Sequence, residues 1–201
     1  MATFLEIAGE ARRGINWEIV NGFRTDKTMD AEIWDMRDLP MKKSAASYDG
    51  IYSEHFIEHI HKYQGINFFK EAFRLLKPGG TLRTVWPKYE IIEWLVGPED
   101  LTNDTFVNHY YQVYVKKHKF PEEGNEHRRP QEQVALGLLH QGGEHKYLWG
   151  EAEMITTLKD LGFSSVQTWP YGVSGRADFN GIEKPDIIRS AHSGVVEATK
   201  W

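Results

Sequence analysis

Ile66-Asn67-Phe68-Phe69-Lys70-Glu71-Ala72-Phe73-Arg74-Leu75-Leu76-Lys77-Pro78-Gly79-Gly80-Thr81-Leu82-Arg83-Thr84-Val85-Trp86 decides the fold. Phe69, Ala72, Phe73 and Leu76 recur at i, i+3, i+4 and i+7, one apolar stripe along a helix from Ile66 to Leu76. Lys77 complements the negative end of that helix, Pro78 cannot continue it, and Gly79-Gly80 tolerate the positive φ of a tight turn. Thr81 to Trp86 then reads as a strand, closed by Pro87. Helix, short turn and strand make the αβ unit of a parallel sheet.

Upstream, four short runs have strand character: Phe4 to Ala8, Asn16 to Val20, Asp30 to Asp35, and Tyr48 to Ser53. The link from Gly9 to Ile15 is shorter than the dozen or so residues of a helical crossover. Either the first helix is reduced to a turn or the second strand lies elsewhere. Downstream, Lys88 to Lys119 is helical and aromatic-rich, and Phe120 to Glu144 reads as loop with a short helix near Val134 to Leu139. A marked helix spans Glu151 to Leu161, with Met154, Ile155, Leu158 and Leu161 on one face and Gly162 beyond its end. Phe163 to Trp169 and Gly194 to Thr199 are the last strands, suited to an antiparallel pair at the sheet edge. No repeat or linker divides the chain, so residues 1–201 read as one α/β domain with an insertion at about 88–144.

Composition narrows the function. With 24 Lys+Arg against 29 Asp+Glu and a net charge of −5, the chain lacks the basic balance of a dedicated nucleic-acid binder. No cysteine is present, which removes disulfides, thiolate nucleophiles and Cys-ligated metals. No apolar run approaches the ~18 residues of a membrane span, and the opening residues do not read as a signal peptide, so the expected location is cytoplasmic.

Tyr48-Asp49-Gly50-Ile51-Tyr52-Ser53-Glu54-His55-Phe56-Ile57-Glu58-His59-Ile60, followed by Arg74-Leu75-Leu76-Lys77-Pro78-Gly79-Gly80, resembles the central block of class I S-adenosylmethionine-dependent methyltransferases of the type 11-like group. Leu39-Pro40 after Asp35, His145-Lys146-Tyr147 ahead of Leu161-Gly162-Phe163, and Val195 to Lys200 extend the likeness in the correct order. The resemblance implies a Rossmann-like methyltransferase fold, a mostly parallel sheet with an antiparallel C-terminal strand. It also implies S-adenosyl-L-methionine as cofactor and a small-molecule or saccharide-like acceptor. The chain departs from the family at Ala8-Gly9-Glu10, where a "G-x-G" is usual.

Ligands of such sheets lie beyond the carboxyl ends of the strands, near the reversal of strand order. On the resemblance, Gly9 admits the cofactor backbone-close, Glu18 accepts from the ribose hydroxyls, Asp35 and Met36 meet the adenine, and Ser53 faces the methyl-transfer end. His55 and His145 border the acceptor, either being suited to take a proton from it. Plainer roles are a turn glycine, a solvated glutamate, a turn-forming aspartate and structural histidines. Lys116-Lys117-His118-Lys119 and His127-Arg128-Arg129 read as solvated faces, or as contacts to an anionic acceptor. Two other functions remain open. Glu10 in place of the second glycine suits a module that has lost the cofactor and serves as a scaffold. His55-Phe56-Ile57-Glu58-His59 fits H-x-x-E-H, a zinc-hydrolase pattern with two histidines one helical turn apart. The methyltransferase reading itself assigns no metal.

Overall fold

Helix α1 (Lys62–Leu75) and strand β5 (Leu76–Pro87) follow each other directly in the computed structural model, which describes residues 2–8, 16–21, 32–33, 39–116 and 127–201. The helix starts four residues before the expected Ile66, where the Gln64 side chain accepts the His61 N–H at 2.9 Å and so ties the first turn. Its buried face is Phe68, Phe69, Ala72 and Leu75; Phe73 is only partly buried, packed edge-on to Phe163 at 5.1 Å. Leu76 already belongs to the strand. Lys77 to Gly80 bulge out of β5, because Tyr48 and Gly50 of β4 (Tyr48–Glu54) pair with Leu76 and Thr81. Gly79, at φ 79°, makes the bend.

Strands β1 (Phe4–Ile7), β2 (Trp17–Asn21) and β3 (Glu32–Ile33) complete the parallel part. With β6 (Ser165–Thr168) and β7 (Ser193–Thr199) the described residues form a sheet of seven strands in the order β3-β2-β1-β4-β5-β7-β6. Among the described strands only β7 runs against its neighbours, paired with β5 on one side and β6 on the other. The α/β architecture expected from sequence is therefore present. The second strand lies where expected, parallel to β1 with Phe4 opposite Trp17 and Ile7 opposite Val20.

The two faces of the sheet are covered differently. Leu5, Ile7, Ile51, Leu82, Val196 and Ala198 pack under α1 and under α5 (Glu151–Asp160), which contributes Met154 and Leu158. The opposite face carries Phe4, Tyr52, Val85 and Val195, and Phe179 packs on it with Trp169, Tyr171 and Ile182 from the β6–β7 connection. Gly50 is required here, since a Cβ would lie 2.7 Å from the Phe4 ring and 2.8 Å from Phe179. Arg83 of β5 fixes this connection from beneath. Its Nε and Nη2 donate to both carboxylate oxygens of Glu183 at 2.7 and 2.8 Å, and its Nη1 donates to Glu197 of β7 at 2.7 Å. Arg83 and Glu183 have fully buried side chains.

Helices α2 (Glu90–Leu95), α3 (Thr105–Tyr110) with its π-helical continuation Tyr111–Lys116, and α4 (Pro130–His140) form a second apolar cluster. The α4 helix is longer than the short helix expected, with Pro130 at its first turn. Helix α6 (Ile187–His192) was not anticipated from sequence. Asp186 caps it by accepting the Ile188 and Arg189 N–H groups at 2.8 Å. Ile188 joins the second cluster, and His192 packs against Phe106 at 5.6 Å. No helix among the described residues is long and apolar enough to cross a membrane.

Two predictions follow from this packing. Arg83→Met strands two buried carboxylates, so urea unfolding should show a loss of about 3–5 kcal/mol; a change below 1 kcal/mol overturns the pinning role. His192, buried, is pushed down to about 3 by desolvation first and by His55 and Arg189 second, against the Ile188 carbonyl and Glu58. A depressed folded-state pKa gives stability that is complete above the unfolded value near 6.5 and is lost as pH falls towards 3. His192→Phe should therefore match the wild type at pH 8 and lose less stability between pH 6.5 and 4. Equal losses in the two proteins would refute it.

Candidate functional site at the carboxyl end of the sheet

Strand order reverses between β1 and β4, where Ile7 and Ser53 are register partners at the carboxyl end of the sheet. Ala8, next after β1, has φ 59°, a turn that glycine usually supplies. On β4, Glu54 accepts from the hydroxyls of Tyr52 and Tyr171 at 2.8 Å and from Arg189 Nη1 at 3.0 Å. Burial works to raise its pKa, but these partners together hold it below the usual carboxylate range. The next residue, His55, sits at φ 48° while its N–H donates to the Val85 carbonyl at 3.0 Å. Strain at a non-glycine residue persists only where the surroundings fix it.

What fixes His55 is Glu58. The chain turns through a 3-10 segment, Ile57–His59, whose Glu58 is buried beside Phe56 and Ile57. Glu58 Oε1 lies 3.0 Å from His55 Nδ1, and His55 Nε2 lies 3.2 Å from Ser193 Oγ. A carboxylate only accepts, so Nδ1 carries a proton, and Nε2 faces the Ser193 hydroxyl. Burial alone would raise the Glu58 pKa; the His55 hydrogen bond and the nearby His55, His59 and His145 outweigh it and hold the group ionised.

His145 reaches the same carboxylate because the Lys146 and Tyr147 N–H groups donate to the Glu58 carbonyl at 2.7 and 3.2 Å. Its ring stands edge-on to His59 at 4.9 Å, and its Nδ1 donates to the Leu138 carbonyl at 2.5 Å. Desolvation, reinforced by His59 and His55, keeps His145 below its ordinary pKa despite Glu58 and Leu138.

Of the residues singled out from sequence, His55 and His145 both lie near Glu58. Ser53 stands at the reversal of strand order, but its hydroxyl is buried and paired with Thr84 Oγ1 at 2.8 Å. Glu18 is a correction. It lies near the amino end of β2, opposite Leu5, and is held there by Lys43 and by Tyr48, the first residue of β4, both at 2.8 Å. The carboxyl end of β2 is Asn21, so Glu18 cannot serve a ligand at that end. The H-x-x-E-H reading is also corrected, since a left-handed His55 and a three-residue 3-10 segment do not place His55 and His59 on one helix face. Gly9, Glu10, Asp35 and Met36 lie outside the described residues. Sequence reasoning missed His192, Ser193 and the central position of Glu58. For Glu58 a signal exists: a lone acid inside Phe56-Ile57-Glu58-His59-Ile60.

A family model described as a methyltransferase domain matches residues 17–84, roughly a third of the chain. No curated protein matches. Among solved structures, a SAM-dependent methyltransferase from Archaeoglobus fulgidus is 13% identical with a TM-score of 0.54, over 99% of this chain and 86% of that one. PigF with SAH is 11% identical at a TM-score of 0.52, and the chain spans 56% of it. The citrinin polyketide synthase CMeT domain is 13% identical at 0.50, and the chain spans 46% of that structure. These identities carry the fold, and the family model carries the sequence likeness of the β2–β5 region. In sequence motif and in overall fold alike, it is the class I S-adenosylmethionine-dependent methyltransferases that this chain resembles.

Proposed function

We propose that the protein is a cytoplasmic S-adenosylmethionine-dependent methyltransferase acting on a small-molecule or saccharide-like acceptor. The observation that carries this reading is the reversal of strand order between β1 and β4 with a left-handed turn at Ala8, in a chain whose residues 17–84 match a methyltransferase domain. The described backbone supports a ligand site there: Ala8 takes a left-handed turn at the end of β1, and Ile7 and Ser53 stand side by side at the carboxyl end of the sheet. Gly9, Asp35 and Met36 would hold the cofactor in the roles the resemblance gives them, and Ser53 would contribute its backbone. Glu18 has no part in it.

The cofactor supplies an electrophilic methyl group on a sulfonium. For a hydroxyl acceptor, the chain has to aim the oxygen and remove its proton. His55 Nε2 is the acceptor of that proton, in the position where it now meets the Ser193 hydroxyl at 3.2 Å. Glu58 holds the ring by Nδ1 and stabilises the imidazolium as it forms, the logic of an oriented base. His145 also lies near Glu58, and the helices of the 88–144 insertion would close over the acceptor.

Thermal unfolding with S-adenosylmethionine and its demethylated product tests the reading. At 100 times Kd a ligand adds about 2.7 kcal/mol, a rise of roughly 5–10 °C for a domain of this size. No rise at millimolar concentration sinks it and favours a scaffold module. Glu18→Ala should leave cofactor affinity within twofold of wild type; a tenfold loss would return Glu18 to the site. His55→Ala should keep that affinity and lower kcat by about 100-fold or more.

A further inference from the structure

Glu58 uses one carboxylate oxygen and leaves the other idle. Oε1 holds His55, whereas Oε2 is buried without a hydrogen-bond partner. An ionised carboxylate oxygen in that condition is costly, and native structures seldom leave one so. Two imidazoles, those of His59 and His145, stand beside this carboxylate. Glu58, His59 and His145 each offer a ligand atom, all within 4.8 Å of one another, and His59 Nε2 is 3.9 Å from Glu58 Oε1. His145 is preset for coordination: a carbonyl can only accept, so its bond to Leu138 puts the proton on Nδ1 and turns the Nε2 lone pair outward. Metal-bound histidines are typically fixed by a carbonyl or carboxylate on the other ring nitrogen in this way.

We propose that Glu58, His59 and His145 form a binding site for one divalent transition-metal ion of the zinc type. Two imidazoles and a carboxylate suit such an ion, whereas Mg2+ and Ca2+ prefer oxygen donors. Bonds of about 2.0–2.1 Å set tetrahedral ligand atoms roughly 3.3 Å apart, so rotation of His59 and His145 by a modest amount closes the site. Three protein ligands leave a fourth position open to water or an acceptor oxygen. His55 is not a ligand, because its Nδ1 is engaged with Glu58 and its Nε2 faces Ser193. The site thus differs from the H-x-x-E-H pair in using His145, which is distant in sequence. It stands independently of the methyltransferase reading.

The test is titration of chelator-treated full-length protein with Zn2+ by calorimetry, and with Co2+ by visible spectroscopy. One ion per chain and the absorption bands of four-coordinate Co2+ are expected. His59→Gln and His145→Gln should each weaken binding by about 100-fold or more, while His55→Ala retains one ion per chain. Circular dichroism and the S-adenosylmethionine response of each variant show that it is folded. No binding, or unchanged binding in both glutamine variants, overturns the site. A loss in His55→Ala equal to that in His145→Gln overturns this ligand set. Zn2+ binding is read without cofactor, so its failure is separate from failure of cofactor binding.

Discussion

The guanidinium of Arg83, buried between Glu183 and Glu197, is the contact on which the second face of the sheet depends. Phe4, Tyr52, Val85 and Val195 on that face require a cover, and Phe179 with its neighbours in the β6–β7 connection supplies it. The part of that connection ahead of α6, residues 169–186, has no ladder or helix of its own and stays in place by being tied down. Arg83 does this with two parallel bonds to Glu183 and a third to the Val173 carbonyl at 3.0 Å. The bidentate geometry is one that lysine could not reproduce.

Glu58 has the corresponding role at the carboxyl end. Its carboxylate orients His55, and its backbone carbonyl draws in the 145–147 strip, so a single residue aligns two histidines from distant parts of the chain. The cost of burying its charge is offset in part by these groups acting together. Removing any one leaves the others less compensated, which is why their effects should not be additive.

The αβ unit was legible in the sequence because its signals are local: a 3.6-residue stripe, then Lys77-Pro78-Gly79-Gly80. Leu76, expected as the last residue of the stripe, is instead the first of β5, ahead of the glycines. Glu18 misled because sequence assigns a residue to a strand without saying which end of the sheet it occupies; register with Leu5 and the bond to Tyr48 decide that. Arg83 looked like an ordinary alternating strand residue, since its partners lie 100 and 114 positions away. Ser193 and His192 were hidden likewise, at the junction of a helix that its Asp186 cap alone announces.

The same return of the chain that covers the sheet also assembles the site. Tyr171 lies in the segment that Arg83 anchors, and its hydroxyl binds Glu54 at 2.8 Å. Arg189 of α6 reaches that carboxylate too, and Ser193, where β7 begins, meets His55. Ser193 is placed by pairing of β7 with β5, in which it stands opposite Pro87. The groups around His55 therefore depend on the antiparallel β7 and on the buried ion cluster that locks the chain leading to it. Stability of the second face and geometry of the site are consequences of one constraint, and a change at Arg83, remote from His55, should be felt at both.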